Sequence, residues 1–229
     1  METLQAGYTL QLAPGTFPLS TDSMVLSDFV RRPRNARVLD LGSGCGTLGL
    51  MLCAKDEHCT VTGIELDKTA HQAALENIRS NHLESRLYSL CADLRSMPAD
   101  IPQGHFHCCV SNPPYFSGGE ASRKTPLARR DDCCSPEELF AAAAKYLRYG
   151  GDFFLVHKPE RLAELIHYSC ESQLEPKVLR LVRPRRDSAP GMILLQCRKG
   201  AKPGLRWEEL TLYHSDGTPT GDHRRIYHQ

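Results

Sequence analysis

The chain has 229 residues, 41% of them hydrophobic and 24% charged, with a formal net charge of +1. That length supports one sizeable core, the composition is that of an ordinary globular domain, and no apolar run approaches the roughly 20 residues of a bilayer-spanning helix. The near-zero charge argues against a protein that grips nucleic acid along its whole length, although local basic patches are compatible with it. The opening METLQAGYTLQL has neither a basic start nor an apolar signal core, so a cytoplasmic protein is expected. Ten cysteines without a single C-x-x-C pair read as reduced, mostly packed thiols rather than a zinc site or a disulfide scaffold. The ten histidines show no metal-ligand spacing, and no metal is expected.

In chain order, Tyr8, Leu10 and Leu12 alternate as a short strand before a turn at Pro14-Gly15. A helix is predicted from Asp22 to Val30, and the first core strand from Arg37 to Leu41. The strand runs into Asp40-Leu41-Gly42-Ser43-Gly44-Cys45-Gly46, after which a helix opens at Thr47. Closely spaced glycines between a strand and a helix let the backbone turn sharply and approach a ligand. The pattern D-x-G-x-G-x-G differs from the G-x-G-x-x-G of dinucleotide sites. A second strand, Thr60 to Ile64, ends in Glu65, placed to take a ribose diol. Residues 68–81 form an amphipathic helix, and a third strand, Leu87 to Ala92, ends in Asp93, a candidate for an adenine amino group.

The fourth strand, His105 to Ser111, ends in Asn112-Pro113-Pro114-Tyr115. The Asn112 side chain and the Pro113 backbone each offer a carbonyl acceptor, and the prolines add no competing N–H. Two acceptors hold the two hydrogens of an –NH2 group, and Tyr115 stacks on the flat system bearing it. The polar stretch 116–134 is long for a loop inside a compact domain and is expected to be mobile and to close on substrate. Ser135-Pro136-Glu137-Glu138 is a capping box with proline at the first helical position. The helix it opens runs to about Tyr146 and is expected to end at Gly150-Gly151. Asp152–His157, Lys177–Val182 and Met192–Arg198 are the remaining strands, the last two antiparallel, with a helix over 160–172. The expected fold is α/β: a Rossmann-like, doubly wound, seven-stranded and mostly parallel sheet with an antiparallel last strand. It forms one domain, with an extension over 1–36, a core over 37–200 and a tail over 201–229.

Basic residues cluster at 31–37, at 180–186, at 198–206, and at Arg123, Lys124, Arg129 and Arg130. Only the 123–130 group, Arg123, Lys124, Arg129 and Arg130, is tethered beside Asn112, and it is the candidate for phosphate contacts. The other groups read as solvated surface unless they share that face.

On the glycine loop and Asn112-Pro113-Pro114-Tyr115, the chain resembles the S-adenosylmethionine-dependent class I methyltransferases that modify amino groups. Phe17 to Val30, with Thr21-Asp22 ahead of an apolar helix, and the ending Leu210-Thr211-Leu212-Tyr213 with Asp216-Gly217-Thr218 are similar to the valine-tRNA adenine-N6 methyltransferase family. That family's Ala-Arg-His-Glu-like element reads Ala128-Arg129-Arg130-Asp131 here. The resemblance implies S-adenosylmethionine as cofactor, held by Thr21, Asp22, Asp40, Gly42, Gly44, Gly46, Glu65 and Asp93. It implies Asn112, Pro113 and Tyr115 as catalytic residues and a single-stranded or flipped adenine of RNA, above all tRNA, as substrate. The alternatives are a glutamine side-chain amide in a release factor and the exocyclic amine of guanine in rRNA. The glutamine enzymes usually carry a helical domain ahead of the fold, and only 36 residues precede the first core strand here.

Overall fold

The computed structural model describes residues 2–12, 19–113 and 134–227. Strands β1 (Glu2–Thr3) and β2 (Thr9–Leu10) form a small antiparallel ladder, followed by helix α1 (Thr21–Phe29). Then β3 (Arg37–Leu41), α2 (Thr47–Lys55), β4 (Thr60–Glu65), α3 (Lys68–Ser80) and β5 (Leu87–Cys91) alternate. The chain continues through β6 (Phe106–Ser111), α4 (Pro136–Tyr146), β7 (Leu147–His157) and α5 (Leu162–Glu171). It ends in β8 (Leu174–Arg185), β9 (Met192–Lys199), β10 (Arg206–Tyr213) and α6 (Gly221–Tyr227).

The main sheet has the order β10-β8-β9-β7-β6-β3-β4-β5, and every strand is parallel except β9, which opposes both β7 and β8. The chain winds outward from β3 to β5, returns to β6 on the other side of β3, and winds out again. The switch point therefore lies between β3 and β6, where open α/β sheets bind ligands beyond their strand C-termini.

Central strands are buried on both faces, so they read as unbroken apolar runs rather than alternating ones. In β7, Phe154 and Val156 face a core shared with α1, α2, α3 and α6, while Phe153 and Leu155 face α4 and α5. Phe154 meets Phe29 edge-on at 5.7 Å between ring centres, and Phe153 meets Phe140 likewise at 5.3 Å. Truncating either phenylalanine to alanine would cost about 3–5 kcal/mol.

Two asparagines one helical turn apart bind the N-terminal strand to α3. Asn81 accepts from the Thr9 N–H and donates to the Thr9 carbonyl; Asn77 does the same with Gln11. Each amide mimics a neighbouring strand, pairing both polar groups of one backbone residue. Asn77 is buried and also donates to the Cys45 carbonyl in the glycine loop at 3.0 Å.

Several expectations change. The seven expected strands are joined by an eighth, because the tail folds as β10 along β8 and then as α6. The capping box at Ser135 and Glu138 forms and α4 runs to Tyr146 as expected, but the helix is capped at Leu147 and not ended by the glycine pair. Gly150-Gly151 instead lies in an irregularity of β7 against β6, where a Cβ on Gly151 would lie 3.0 Å from the carbonyls of Arg148 and His107. Arg180 is interior, not surface: it donates to Glu208 and Asp28 and covers the Phe29 ring. The Pro14-Gly15 turn, Phe17, Pro114, Tyr115, the 116–133 stretch and its Arg123, Lys124, Arg129 and Arg130 lie outside the described residues. Among the described residues no helix is long and apolar enough to cross a membrane.

Candidate active site

The glycine loop is bent over the end of β4. The N–H groups of Gly42 and Ser43 both donate to the Ile64 carbonyl, at 2.9 and 3.0 Å. Gly44 N–H donates to one Glu65 carboxylate oxygen at 2.7 Å, and Asp67 N–H donates to the other at 2.8 Å. Each oxygen keeps a further lone pair, so Glu65 can still accept from a pair of hydroxyls. Gly42 and Gly44 have φ of +75° and +55°, and a Cβ on either would touch nothing within 4 Å. The glycines thus serve the left-handed backbone and border open space, which a bound molecule can fill. Beneath the loop, a Cβ on Gly63 would come within 2.6 Å of the Ser43 hydroxyl oxygen, so the close approach of loop to strand depends on that glycine.

Asp40, the penultimate residue of β3, is almost fully buried, and neither carboxylate oxygen finds a hydrogen-bond partner among the described residues. Burial pushes its carboxyl up to about 8, with the neighbouring Glu65 charge adding to the effect. An unpartnered buried acid beside a cradle of open glycines is the arrangement expected where a cationic ligand completes the site. Asp93 caps a short 3₁₀ turn, Leu94–Ser96, and is clasped by the Arg95 guanidinium at 2.6 Å. Those hydrogen bonds hold its carboxyl below the usual range, so it stays an anionic acceptor. These groups suit S-adenosylmethionine: a diol acceptor at Glu65, an amine acceptor at Asp93 and a buried acid for a cationic centre at Asp40.

Across the switch point, β6 delivers Asn112. The buried Ser111 hydroxyl donates to the Leu41 carbonyl at 2.7 Å, locking the end of β6 beside the glycine loop. The Asn112 side-chain N–H donates to the Ser23 hydroxyl at 3.0 Å. With its nitrogen engaged there, the amide oxygen is the group left to accept, and Pro113 follows in the chain with its own backbone carbonyl. Ser23 lies in the first turn of α1, whose cap is Ser20. Thr21 accepts from the Tyr227 hydroxyl at 2.9 Å, which ties α1 to α6, and Asp22 sits in the same first turn. At the end of β7, His157 is buried, which lowers its ring to about 4, and its Nδ1 accepts from the Lys158 N–H.

The sheet therefore brings Asp40, Glu65, Asp93, Asn112 and Pro113 to one edge, as the sequence predicts, with α1 closing over Asn112. The sequence reading missed Ser23, Ser111 and Arg95. Ser23 was legible only as one of several hydroxyls near a helix start, and nothing local pairs it with a residue 89 positions away.

The methyltransferase small domain family matches residues 18–166. A tRNA1(Val) (adenine(37)-N6)-methyltransferase of Shewanella putrefaciens is 33% identical over 160 residues, covering 69% of this chain and 67% of that protein. Its counterpart in Tolumonas auensis is 31% identical over 204 residues, covering 86% and 83%. Among solved structures, one described as a predicted O-methyltransferase from Agrobacterium tumefaciens superposes with a TM-score of 0.76 at 23% identity, covering 91% of this chain and 96% of that one. A 16S rRNA N2 methyltransferase of T. thermophilus, solved with S-adenosylmethionine and guanosine, gives 0.57 at 22% identity, covering 82% and 45%.

Proposed function

The chain belongs to the methyltransferase small domain family, and on that premise we propose that it transfers a methyl group from S-adenosylmethionine to the exocyclic N6 amine of an adenine in tRNA. The observation that carries this reading is Asn112 at the end of β6, a strand tied to the glycine-loop end of β3 by the Ser111–Leu41 hydrogen bond, with its side-chain nitrogen engaged by Ser23. The relatives named for tRNA adenine-N6 methylation support the choice of adenine over guanine or glutamine.

When bound, S-adenosylmethionine supplies an intrinsically electrophilic methyl group on a sulfonium. Gly42, Gly44 and Gly46 line its place, Glu65 takes the ribose hydroxyls, Asp93 the adenine amine and Asp40 the cationic end, with Thr21 and Asp22 at the rim. The amine of the target adenine is a poor nucleophile because its lone pair is delocalised into the ring. The Asn112 oxygen and the Pro113 carbonyl accept its two hydrogens, orient the lone pair and stabilise the positive charge that develops on nitrogen. Tyr115 stacks on the base. His157 stays neutral at physiological pH and no base is needed, since the ammonium-like product is acidic enough to lose its proton to water. Arg123, Lys124, Arg129 and Arg130 meet RNA phosphates, and the protein works in the cytoplasm with its substrate.

The test is transfer of labelled methyl to unmodified tRNA, ribosomal RNA and release factor offered separately, with products digested and identified by mass spectrometry. N6-methyladenosine from tRNA, lost in Asn112→Ala, is expected. Label in glutamine, or in guanine of rRNA, would overturn the reading.

A further inference from the structure

The topology sorts the basic clusters into two groups. Strands β3, β6, β7, β8 and β10 run parallel, so their C-termini share the edge that bears Asn112. Arg34, Arg37 and Arg206 lie at strand starts, and Arg198 and Lys199 end the antiparallel β9, so all five mark the opposite edge. The hairpin between β8 and β9 belongs to the catalytic edge. The last β7–β9 pair is His157 with Ile193, and β8 continues from its own partner of Ile193, Leu181, to Arg185. At about 3.3 Å per residue, Arg185 stands roughly 13 Å beyond the end of β7. Three strand spacings separate β8 from β6, so the hairpin rises about 14 Å to the side of the strand that carries Asn112.

The hairpin is braced. Arg183 donates to the Ser188 carbonyl at 2.7 Å and pairs with Glu209, the Gly191 N–H donates to the Val182 carbonyl, and β10 follows β8 as far as Tyr213 opposite Arg185. Arg185 and Arg186 are exposed on it, and neither forms an ion pair with a described residue; Asp187 beside them is the one opposing charge on the turn. A long side chain held on a rigid projection, charged and unneutralised, is disposed toward a polyanion rather than toward its own fold. The acids of the crevice lie at the C-terminal ends of β3, β4 and β5, whereas this wall is on the far side of Asn112 from them.

We infer that the β8–β9 hairpin is a second RNA-backbone contact, with Arg185 and Arg186 gripping phosphates that flank the target nucleotide. This rests on the tRNA reading above. The test compares wild type, Arg185→Ala/Arg186→Ala, and a control at the opposite edge, Arg34→Ala/Arg206→Ala. Each is assayed for tRNA binding across a salt series and for methylation kinetics. For the hairpin variant, the slope of log affinity against log salt should fall by about 1.5, two contacts at 0.7–0.9 each. KM for tRNA should rise about tenfold while kcat and S-adenosylmethionine affinity hold. The control should match wild type. If tRNA is methylated but the hairpin variant keeps the wild-type slope and KM, the hairpin inference fails alone; equal losses in the control would reduce the effect to net charge and overturn it too. Wild type that neither binds nor methylates tRNA would sink the functional reading and this inference together.

Discussion

The two halves of the catalytic edge solve opposite electrostatic problems. From β3 to β5 the strand ends carry Asp40, Glu65 and Asp93, and backbone N–H groups converge on Glu65, so that half is built to receive a ligand with cationic and hydroxyl groups. From β6 outward the strand ends carry a neutral amide, a neutral imidazole and an arginine-bearing hairpin, a half suited to a polyanion whose reacting base must stay uncharged. The border is the Ser111–Leu41 hydrogen bond. The proposed function then needs no compromise between the two charges, because the switch point would separate a cofactor from a polyanion by topology along one sheet edge.

If the halves are separable, damage to one should spare binding at the other. The largest effect is expected for Asn112→Ala, a fall of about 10²–10³-fold in kcat, the scale of losing one preorganised transition-state partner. Its S-adenosylmethionine affinity should be unchanged by calorimetry, and a comparable loss there would break the division. Gly63→Val drives a side chain into Ser43 beneath the loop and should weaken cofactor binding roughly 10- to 100-fold, about 1–3 kcal/mol of overpacking. Binding of tRNA alone should survive it.

Next comes the pH dependence of Asp40. Its carboxyl is raised to about 8 when folded and titrates near 4 when unfolded. Between those values the folded chain holds a proton that the unfolded chain has released, so this group's contribution to stability declines as pH rises from about 4 to 8. A cationic ligand favours the carboxylate, so cofactor affinity should climb with pH toward 8 by at most about tenfold per unit. Titrations at pH 6, 7 and 8 would check this; Asp40→Asn should flatten the profile, and a flat wild-type profile would refute it. The smallest effect is expected for Ser23→Ala, about 1 kcal/mol or roughly fivefold in kcat with KM unmoved, since only the orientation of Asn112 is loosened. Ser23→Thr should restore most of it.

The first half was readable almost residue by residue, because its signals are local: a strand, then glycines whose spacing names a ligand class, then acids at strand ends. The capping box at Ser135 was equally plain, since its four residues satisfy one another. In the second half Asn112 was as plain, but the elements beyond it resisted. Leu210 and Leu212 alternate with Thr211 and Tyr213 as a strand should, yet β10 owes its place to β8, nearly thirty residues upstream, and to the Glu208–Arg180 pair. Arg180 looked like surface because charge patterning cannot reveal two acids arriving from 28 and 152 residues away. Asn77 and Asn81 read as polar helix positions, and only folding shows them as a surrogate strand for the N-terminus.

The Tyr227–Thr21 hydrogen bond also has a meaning in time. It spans 206 residues and, with the Arg225–Asp28 pair, fastens the last helix to the one whose first turn supports Asn112. At ribosomal rates of about 5–20 residues per second, the two ends of that bond are made roughly 10–40 s apart. The glycine loop and its strands have all been synthesised long before, so every residue of the cofactor cradle exists before the chain that clamps α1 beside the reactive amide has been made.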